Sequence, residues 1–486
     1  MRYKKFIVLM FMTLASCTVG PDYVKPVVEV PAAYKEAAGW KLAEPKDTRS
    51  RGAWWEIFND PQLNELEERI PAANQTVAGA AAQLQQAQAL VQATRAGAFP
   101  SLTAGASATR SRRSGNVGNS GNSLPSGATS DYQIPVNASW ELDLWGRIRR
   151  AVEATEAEVQ ASTADLASVR LSAEASLAQF YLQMRNLQAQ MKLLDETVSQ
   201  YQKSLDLTQN RYAAGVAAKV EVLQAEAQLK STRAQAVDLN VQIAQLQHAI
   251  AVLIGKPASD FSIDNARSGI TIPSVPAGLP SELLERRPDI ASAERRMAAA
   301  NAQIGVAKAA YFPTIRLSGS AGLEASSLAK WISWPSRFWA VGASLSETVF
   351  DAGLRNAQNK QAAAVFDASV AAYRQAVLTG FQEVEDNLAA LRILQEESMT
   401  QDEAVAAARQ ALEITMNQYR SGTVSYLNVI IAQATELAGR RTSLEIVGRR
   451  STATVFLVKA LGGGWDASAL NLAEEAGRQG AGGRQQ

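Results

Sequence analysis

Two stretches of this chain run too far without a helix breaker to be anything but long helices. Residues 147–214 contain neither Gly nor Pro, and residues 354–421 match that length with Gly380 as the one interruption. A lone glycine closes each stretch, Gly215 in the first and Gly422 in the second, and a further helical run follows to Ile254 and Leu461. Ala, Gln, Glu, Leu and Arg dominate these runs, and all are good helix formers. The apolar residues step by seven. One series is Val159, Leu166, Ala173, Phe180, Leu187, Leu194 and Tyr201, and a second is Leu177, Met184, Met191, Val198, Leu205 and Tyr212. Such spacing predicts coiled-coil packing. At ~1.5 Å per residue each long helix would reach ~100 Å before folding back at its glycine.

The pattern occurs twice. "NRYAAGVAAKVEVL" (210–223) matches "NQYRSGTVSYLNVI" (417–430) at an offset of 207, which also carries Gly255 onto Gly462. "GAFPSL" (97–102) echoes "AYFPTI" (310–315) at an offset of 213. The second heptad series returns as Val384, Leu391, Ser398, Val405, Leu412 and Tyr419. Matching blocks with matching breaks identify an internal duplication. The repeats are read as 61–255 and 286–464, joined by 256–285, preceded by an extended segment 17–60 and followed by a tail 465–486.

Helices alone would fit a coiled-coil scaffold. The short segments ahead of each long helix argue otherwise. In 132–144, Tyr132, Ile134, Val136, Ala138, Trp140, Leu142 and Leu144 alternate with polar residues and Pro135. Leu102, Ala104, Ala106 and Ala108 form a second stripe, Ile315 and Leu317 a third, and Trp339, Val341, Ala343 and Leu345 a fourth. Period-2 alternation predicts strands with one apolar face, each near the roughly 9–11 residues that cross a bilayer when tilted. A Gly/Ser/Asn loop (111–130) joins the first pair, and "ASSLAKWISWPS" (325–336), with interface-type tryptophans, joins the second. Strands in lipid must close into a barrel, and the smallest such barrels have about eight. Four strands cannot close, so two copies would give eight strands and three would give twelve. A soluble hairpin domain is the alternative.

The N-terminus carries Arg2, Lys4 and Lys5, an apolar run to Ala15, and Cys17, the only cysteine in the chain. That arrangement reads as a signal peptide over 1–16. The small residues before Cys17 resemble a lipobox, which would make Cys17 the lipid attachment site; an ordinary signal peptide with a chance cysteine is the alternative. Without residues 1–16 the formal charge falls from +1 to −2, which gives no reason to expect nucleic acid. One histidine, His248, and one cysteine offer no metal cluster, and no cofactor is expected beyond the lipid. No nucleotide loop or nucleophile motif stands out, so an enzyme is not expected. Glu141, Asp143 and Arg112 are candidates to set lumen charge, although solvated-face charges are the plainer reading.

The whole pattern resembles the TolC-like family of outer-membrane efflux proteins, in its lipidated OprM- or NodT-like branch. The residues that carry the resemblance are "CTVGPDYVKP", "WWEIFNDPQLNEL" (54–66), "LPSELLERRPDIASAERRMAAANAQIGVAKAAYFPTIRLSG" (279–319) and "LVKALGGGW" (457–465). The resemblance implies an α+β membrane protein: a homotrimer whose 12-stranded β-barrel, four strands per chain, continues as a periplasmic α-helical coiled-coil barrel. It implies a passive exit duct for small molecules such as drugs. The implied partners are a periplasmic adaptor (membrane fusion) protein, an inner-membrane RND-type transporter and outer-membrane lipid. A protein-secretion conduit and a non-conducting envelope scaffold are the rivals. Phe99, Pro100, Phe312 and Pro313 would mark the helix-to-strand transitions. Tyr212, Gly215, Tyr419, Gly422, Leu427, Asn428 and Ile431 would form the periplasmic tips and gate, with plain αα-hairpin turns as the alternative reading. Many relatives close this entrance with aspartates; Asn428 and Ile431 stand at the matching places here. A neutral gate held by packing (Leu427, Ile431) and hydrogen bonds (Tyr419, Asn428) follows as an expectation.

Overall fold

The computed structural model describes residues 18–37, 53–112, 114, 127–263, 272–273 and 286–464. Cys17, the segment 1–16, most of the 111–130 loop, most of 256–285 and the tail 465–486 lie outside the described residues. Eight α-helices, five strand segments and five short 3-10 turns make up the described elements. They form two compact units: one gathers the stretch up to Pro26, Gln85–Ala161 and Ala293–Ala372, and the other gathers Val27–Leu84, Ser162–Ser292 and Tyr373 onward. The division cuts across the two sequence repeats, because equivalent parts of each repeat pack together.

In the first unit, α3 (Gln75–Ala96) leads into β1 (Ser101–Ala104) and β2 (Ser107–Ser111), and β3 (Thr129–Leu142) leads into α4 (Arg147–Ala213). In the second repeat α6 (Pro288–Ala309) leads into β4 (Thr314–Ala325), and β5 (Arg337–Ser346) into α7 (Leu354–Ser421). The strands form one antiparallel sheet in which β1 and β2 pair with β3, β3 with β4, and β4 with β5. The first expected strand is thus present in two pieces. Its register runs through the break, with Ala104 opposite Val136 and Ser107 opposite Gln133. The cause lies across the ladder. Gly105 donates its N–H to the Pro135 carbonyl at 3.1 Å, but proline has no N–H to return. On the other side of Pro135 stands Gly322, where a Cβ would come within 2.2 Å of the Ile134 carbonyl oxygen.

Strand limits differ from the alternating stripes for a local reason. β3 ends at Leu142 rather than 144 because the Asp143 carboxylate accepts the backbone N–H groups of Ile148 and Arg149 at 3.0 and 2.9 Å. That cap turns the chain into α4.

In the second unit, α1 (Pro61–Glu67) starts at Asp60, whose side chain accepts from the Gln62 and Leu63 N–H groups. The same carboxylate accepts from the Tyr181 hydroxyl of α4 at 2.7 Å. The short α2 (Ile70–Ala73) follows, then α3. α4 returns as α5 (Lys219–Leu253), and α7 returns as α8 (Tyr426–Ala460). The heptad stripes face inward here: Leu177, Met184, Leu194 and Val384 are fully buried.

Glu67 is buried as well, and no side chain hydrogen-bonds its carboxyl oxygens. Burial first, and then the neighbouring Glu174 carboxylate, push its carboxyl well above the ordinary value of 4.5. Burial also raises Glu174, against the opposing hydrogen bond from Arg170. A raised carboxyl holds its proton more tightly folded than unfolded. Its contribution is therefore full below pH 4.5 and declines as pH climbs toward the raised value. Glu67→Gln, neutral at every pH, should stabilise the protein by about 1–3 kcal/mol near neutrality and flatten the decline that begins above pH 4.5. Thermal melts of both proteins at acid and neutral pH check this; parallel pH profiles would contradict it.

Candidate functional site

The strand register sorts side chains into two chemically distinct faces. On one face Tyr132, Ile134, Val136, Ala138, Trp140 and Leu142 of β3 stand opposite Ala325, Leu323, Ala321, Gly319, Leu317 and Ile315 of β4. Leu345, Ala343, Val341 and Trp339 of β5 continue that face, as do Leu102 and Ala104 of β1. The other face is polar: Asn137 stands opposite Ser320, Ser139 opposite Ser318, and Glu141 opposite Arg316. Ser344 extends it on β5 and Thr103 on β1. Such a sheet serves lipid on one side and water on the other. The polar side's candidate charges are not all free. Glu141 accepts from Arg147 at 2.8 Å, and Asp143 is consumed as the cap of α4 together with Arg149 at 3.3 Å. Arg112 stands exposed beyond the end of β2.

The two helix-to-strand junctions are built alike. Phe99 and Pro100 fill the gap between α3 and β1, and Phe312 and Pro313 that between α6 and β4. Each junction frees carbonyls that a strand or helix would otherwise pair. An indole takes one at each: Trp140 Nε1 donates to the Ala98 carbonyl at 2.9 Å, and Trp145 Nε1 to the Pro313 carbonyl at 2.7 Å. The Trp145 ring also stacks on Phe312, centroids 4.9 Å apart. Sequence reasoning found the prolines and missed Trp145, whose position just past the strand stripe gave no periodic signal.

A strap follows directly after Cys17. Val19 donates its N–H to the Trp145 carbonyl at 3.1 Å, and Asn301 of α6 donates to the Pro21 carbonyl at 3.0 Å. Asp22 pairs with the buried Arg150 guanidinium at 2.7 Å, and the Tyr23 hydroxyl donates to Glu294 at 2.5 Å. Gly20 lies so close to Gly305 that a Cβ would meet its Cα at 2.5 Å. Thr18 itself sits against Gly146, at the turn between β3 and α4.

At the hairpin tips both helices end in the same way. Gly215 and Gly422 adopt φ of +72° and +80°. Val216 donates its N–H to the Arg211 carbonyl at 2.8 Å, and Thr423 donates to the Gln418 carbonyl at 3.0 Å. This is the Schellman closure with a left-handed glycine. The tips of the two hairpins share one core of Tyr201, Leu205, Val222, Ala225, Leu229, Tyr419, Tyr426 and Val429. Tyr419 is 1 % exposed. Its hydroxyl lies 3.3 Å from the Thr208 hydroxyl and donates to Glu221 at 3.2 Å, and the Arg211 guanidinium lies 4.8 Å from its ring centroid. Burial raises its phenol above the ordinary value. The expected Tyr419 hydrogen bond therefore joins the two hairpins of one chain. Tyr212 remains half-exposed, with the Lys219 ammonium 5.5 Å from its ring centroid. Leu427 and Ile431 are 51 % and 57 % exposed, and Asn428 and Ile431 line a groove of about 290 Å³ between α7 and α8. Tyr426, tilted against Tyr419 at 5.3 Å, was missed in the sequence. It lies seven residues beyond Tyr419, but across a turn, where a heptad step has no meaning.

Among the described residues no cluster of His, Cys, Asp and Glu could hold a metal ion, and no helix is long and apolar enough to cross a membrane.

These features meet in one class of protein, a channel whose sheet stands in a membrane. The chain matches the family described as outer membrane efflux protein over residues 68–256 and 279–463. It is 32 % identical over 456 residues to a probable efflux pump outer membrane protein, TtgC, of Pseudomonas putida, covering 93 % of each chain. It is 31 % identical to the pyoverdine export outer membrane protein OpmQ of Pseudomonas aeruginosa, covering 96 % of this chain and 97 % of that one. The solved outer-membrane channel OprN superposes with a TM-score of 0.85 at 33 % identity, over 92 % of this chain and all of that one. The chain belongs to the outer membrane efflux protein family, and its place is the outer membrane.

The tip core makes a mutational prediction. Tyr426→Ala should cost about 3–5 kcal/mol and speed amide exchange through 201–229 and 419–429, whereas Tyr419→Phe should cost about 1 kcal/mol. Hydrogen exchange read by mass spectrometry separates the two; equal protection in both variants would refute the shared core.

Proposed function

We propose that three copies of this chain close one barrel and form the passive exit duct of a tripartite efflux pump. A periplasmic adaptor and an inner-membrane RND-type transporter deliver small molecules to it. The observation that carries this reading is the sheet. It has one lipid-compatible face, one polar face, and two outer edges, β1/β2 and β5, without a strand partner among the described residues. An edge in hydrocarbon leaves backbone groups unpaired, at several kcal/mol each, and pairing β5 of one copy with β1/β2 of the next removes the penalty. The helices support the same assembly. Val220 and Val241 of α5 are three heptads apart, Leu223 and Val237 are two, and all four are more than half exposed. A coiled-coil seam left open in one chain fits a neighbouring helix.

The duct does no covalent chemistry in this reading; selection of cargo belongs to the transporter. Cys17 carries the lipid. The strap supports that assignment, since it fixes Thr18 beside the β3–α4 turn and so brings acyl chains on Cys17 to the membrane surface next to the barrel. At the entrance, exposed Leu427 and Ile431 pack across the axis with Asn428 in place of an acid. A ring without charge has nothing to concentrate divalent cations.

Single-channel recording in planar bilayers tests the proposal. Uniform conductance steps from a heat-resistant trimer are expected, little changed by millimolar Mg²⁺, and N428D should introduce block by that ion. A monomer without conductance would sink the duct reading, and strong Mg²⁺ block of the unaltered protein would sink the neutral gate.

A further inference from the structure

Charge is distributed over the sheet by face as well as by position. On the lipid-side face every residue from Leu142 to Ile134 on β3, from Ile315 to Leu323 on β4 and from Leu345 to Trp339 on β5 is apolar or glycine. At the outer limit of that band, level with Leu323, the same face carries Arg337 on β5, and beyond it, at the end of the sheet away from the helices, Arg110 on β2. The acids go the other way: Asp131, Glu141 and Glu324 all project from the polar face. Lys330 lies in the short connection between β4 and β5. Neither connection at this end, 112–128 or 326–336, contains an Asp or Glu in its sequence. No described carboxylate pairs with Arg110, Lys330 or Arg337, and all three are exposed.

The depth fits a headgroup. Arg337 stands eight residues beyond Leu345 on one strand, which is ~26 Å along the strand and ~20 Å of height at the usual tilt of about 40°. That is near the roughly 25 Å apolar band of an outer-membrane barrel. The Trp334 ring lies against the Arg337 guanidinium, and Tyr132 and Trp331 meet at 5.7 Å. Aromatic rings at this level mark the interface. A cation there costs little, roughly 0–1 kcal/mol, and a phosphate oxygen pair suits a guanidinium fork.

We propose that Arg110, Lys330 and Arg337 form a binding surface for the phosphate groups of a phosphorylated glycolipid in the outer leaflet. This rests on the closed barrel proposed above, which would set β5 of one copy beside β2 of the next and gather cations that sit on opposite edges of a single sheet. The lipid is the occupant because Arg110 and Arg337 project from the lipid-side face, where a soluble anion or a protein partner has no approach, and Lys330 stands in the connection at the same end of the sheet.

The trimer, reconstituted in phosphatidylcholine nanodiscs, can be offered diphosphoryl lipid A or its dephosphorylated form at equal amounts, with retained lipid counted by native mass spectrometry. The unaltered protein should favour the diphosphoryl form about tenfold, and R110Q/K330Q/R337Q should lose that preference while keeping its unit conductance. Inorganic phosphate in excess should not displace the lipid. Equal retention of both lipids, an undiminished preference in the triple variant, or displacement by inorganic phosphate would each overturn the proposal. If the triple variant fails to assemble, R110Q and R337Q are read singly, and full retention in both overturns it. Conductance without lipid preference leaves the duct standing, whereas absence of conductance in the unaltered protein strikes the duct first.

Discussion

The outward N–H and C=O groups of β1, β2 and β5 have no strand partner among the described residues, and hydrocarbon offers none. Almost everything else about this protein is arranged around that deficit. A sheet of four ribbons is too narrow to bend back on itself, and in the proposed duct the pairing comes from identical copies, each presenting complementary edges. The sorted faces depend on the same condition. A band of Ile, Leu, Val and Ala is an advantage only where the sheet is closed in lipid; on an open sheet in water it would invite aggregation. The polar face, with Glu141 opposite Arg316 and held by Arg147, becomes a wall of a water-filled space only on closure.

Much of this was legible in the sequence, because it is governed by periodicity. Two long runs, the second with Gly380 as its one interruption, each closed by a glycine, specify α4–α5 and α7–α8 almost to the residue, since Gly215 and Gly422 can adopt the positive φ that closes each helix. The period of two in β3 is equally plain. β4 was harder: after Leu317 its apolar side is made of Gly319 and Ala321, too small to stand out, so the strand reads shorter than its twelve residues.

What escaped the sequence lies between segments. The break between β1 and β2 is caused by Pro135, thirty residues away in the chain and one strand away in space. The Tyr419–Tyr426 contact crosses a turn, and the Tyr419 bonds reach Thr208 and Glu221 in the other repeat. Glu67 and Glu174 are ordinary helix residues by pattern and become unusual only when packing removes their water. Such features obey burial and hydrogen-bond accounting, which no one-dimensional period records.

The strap has a consequence in time. Residues 18–23 leave the ribosome ahead of every other described segment, yet their docking surface is assembled from Trp145 and Arg150 in one repeat and Glu294, Asn301 and Gly305 in the other. That surface does not exist until the chain has been made past its midpoint and both repeats have met. The first of the described segments to be synthesised is therefore among the last to be seated, and it stays unseated for as long as the repeats remain apart.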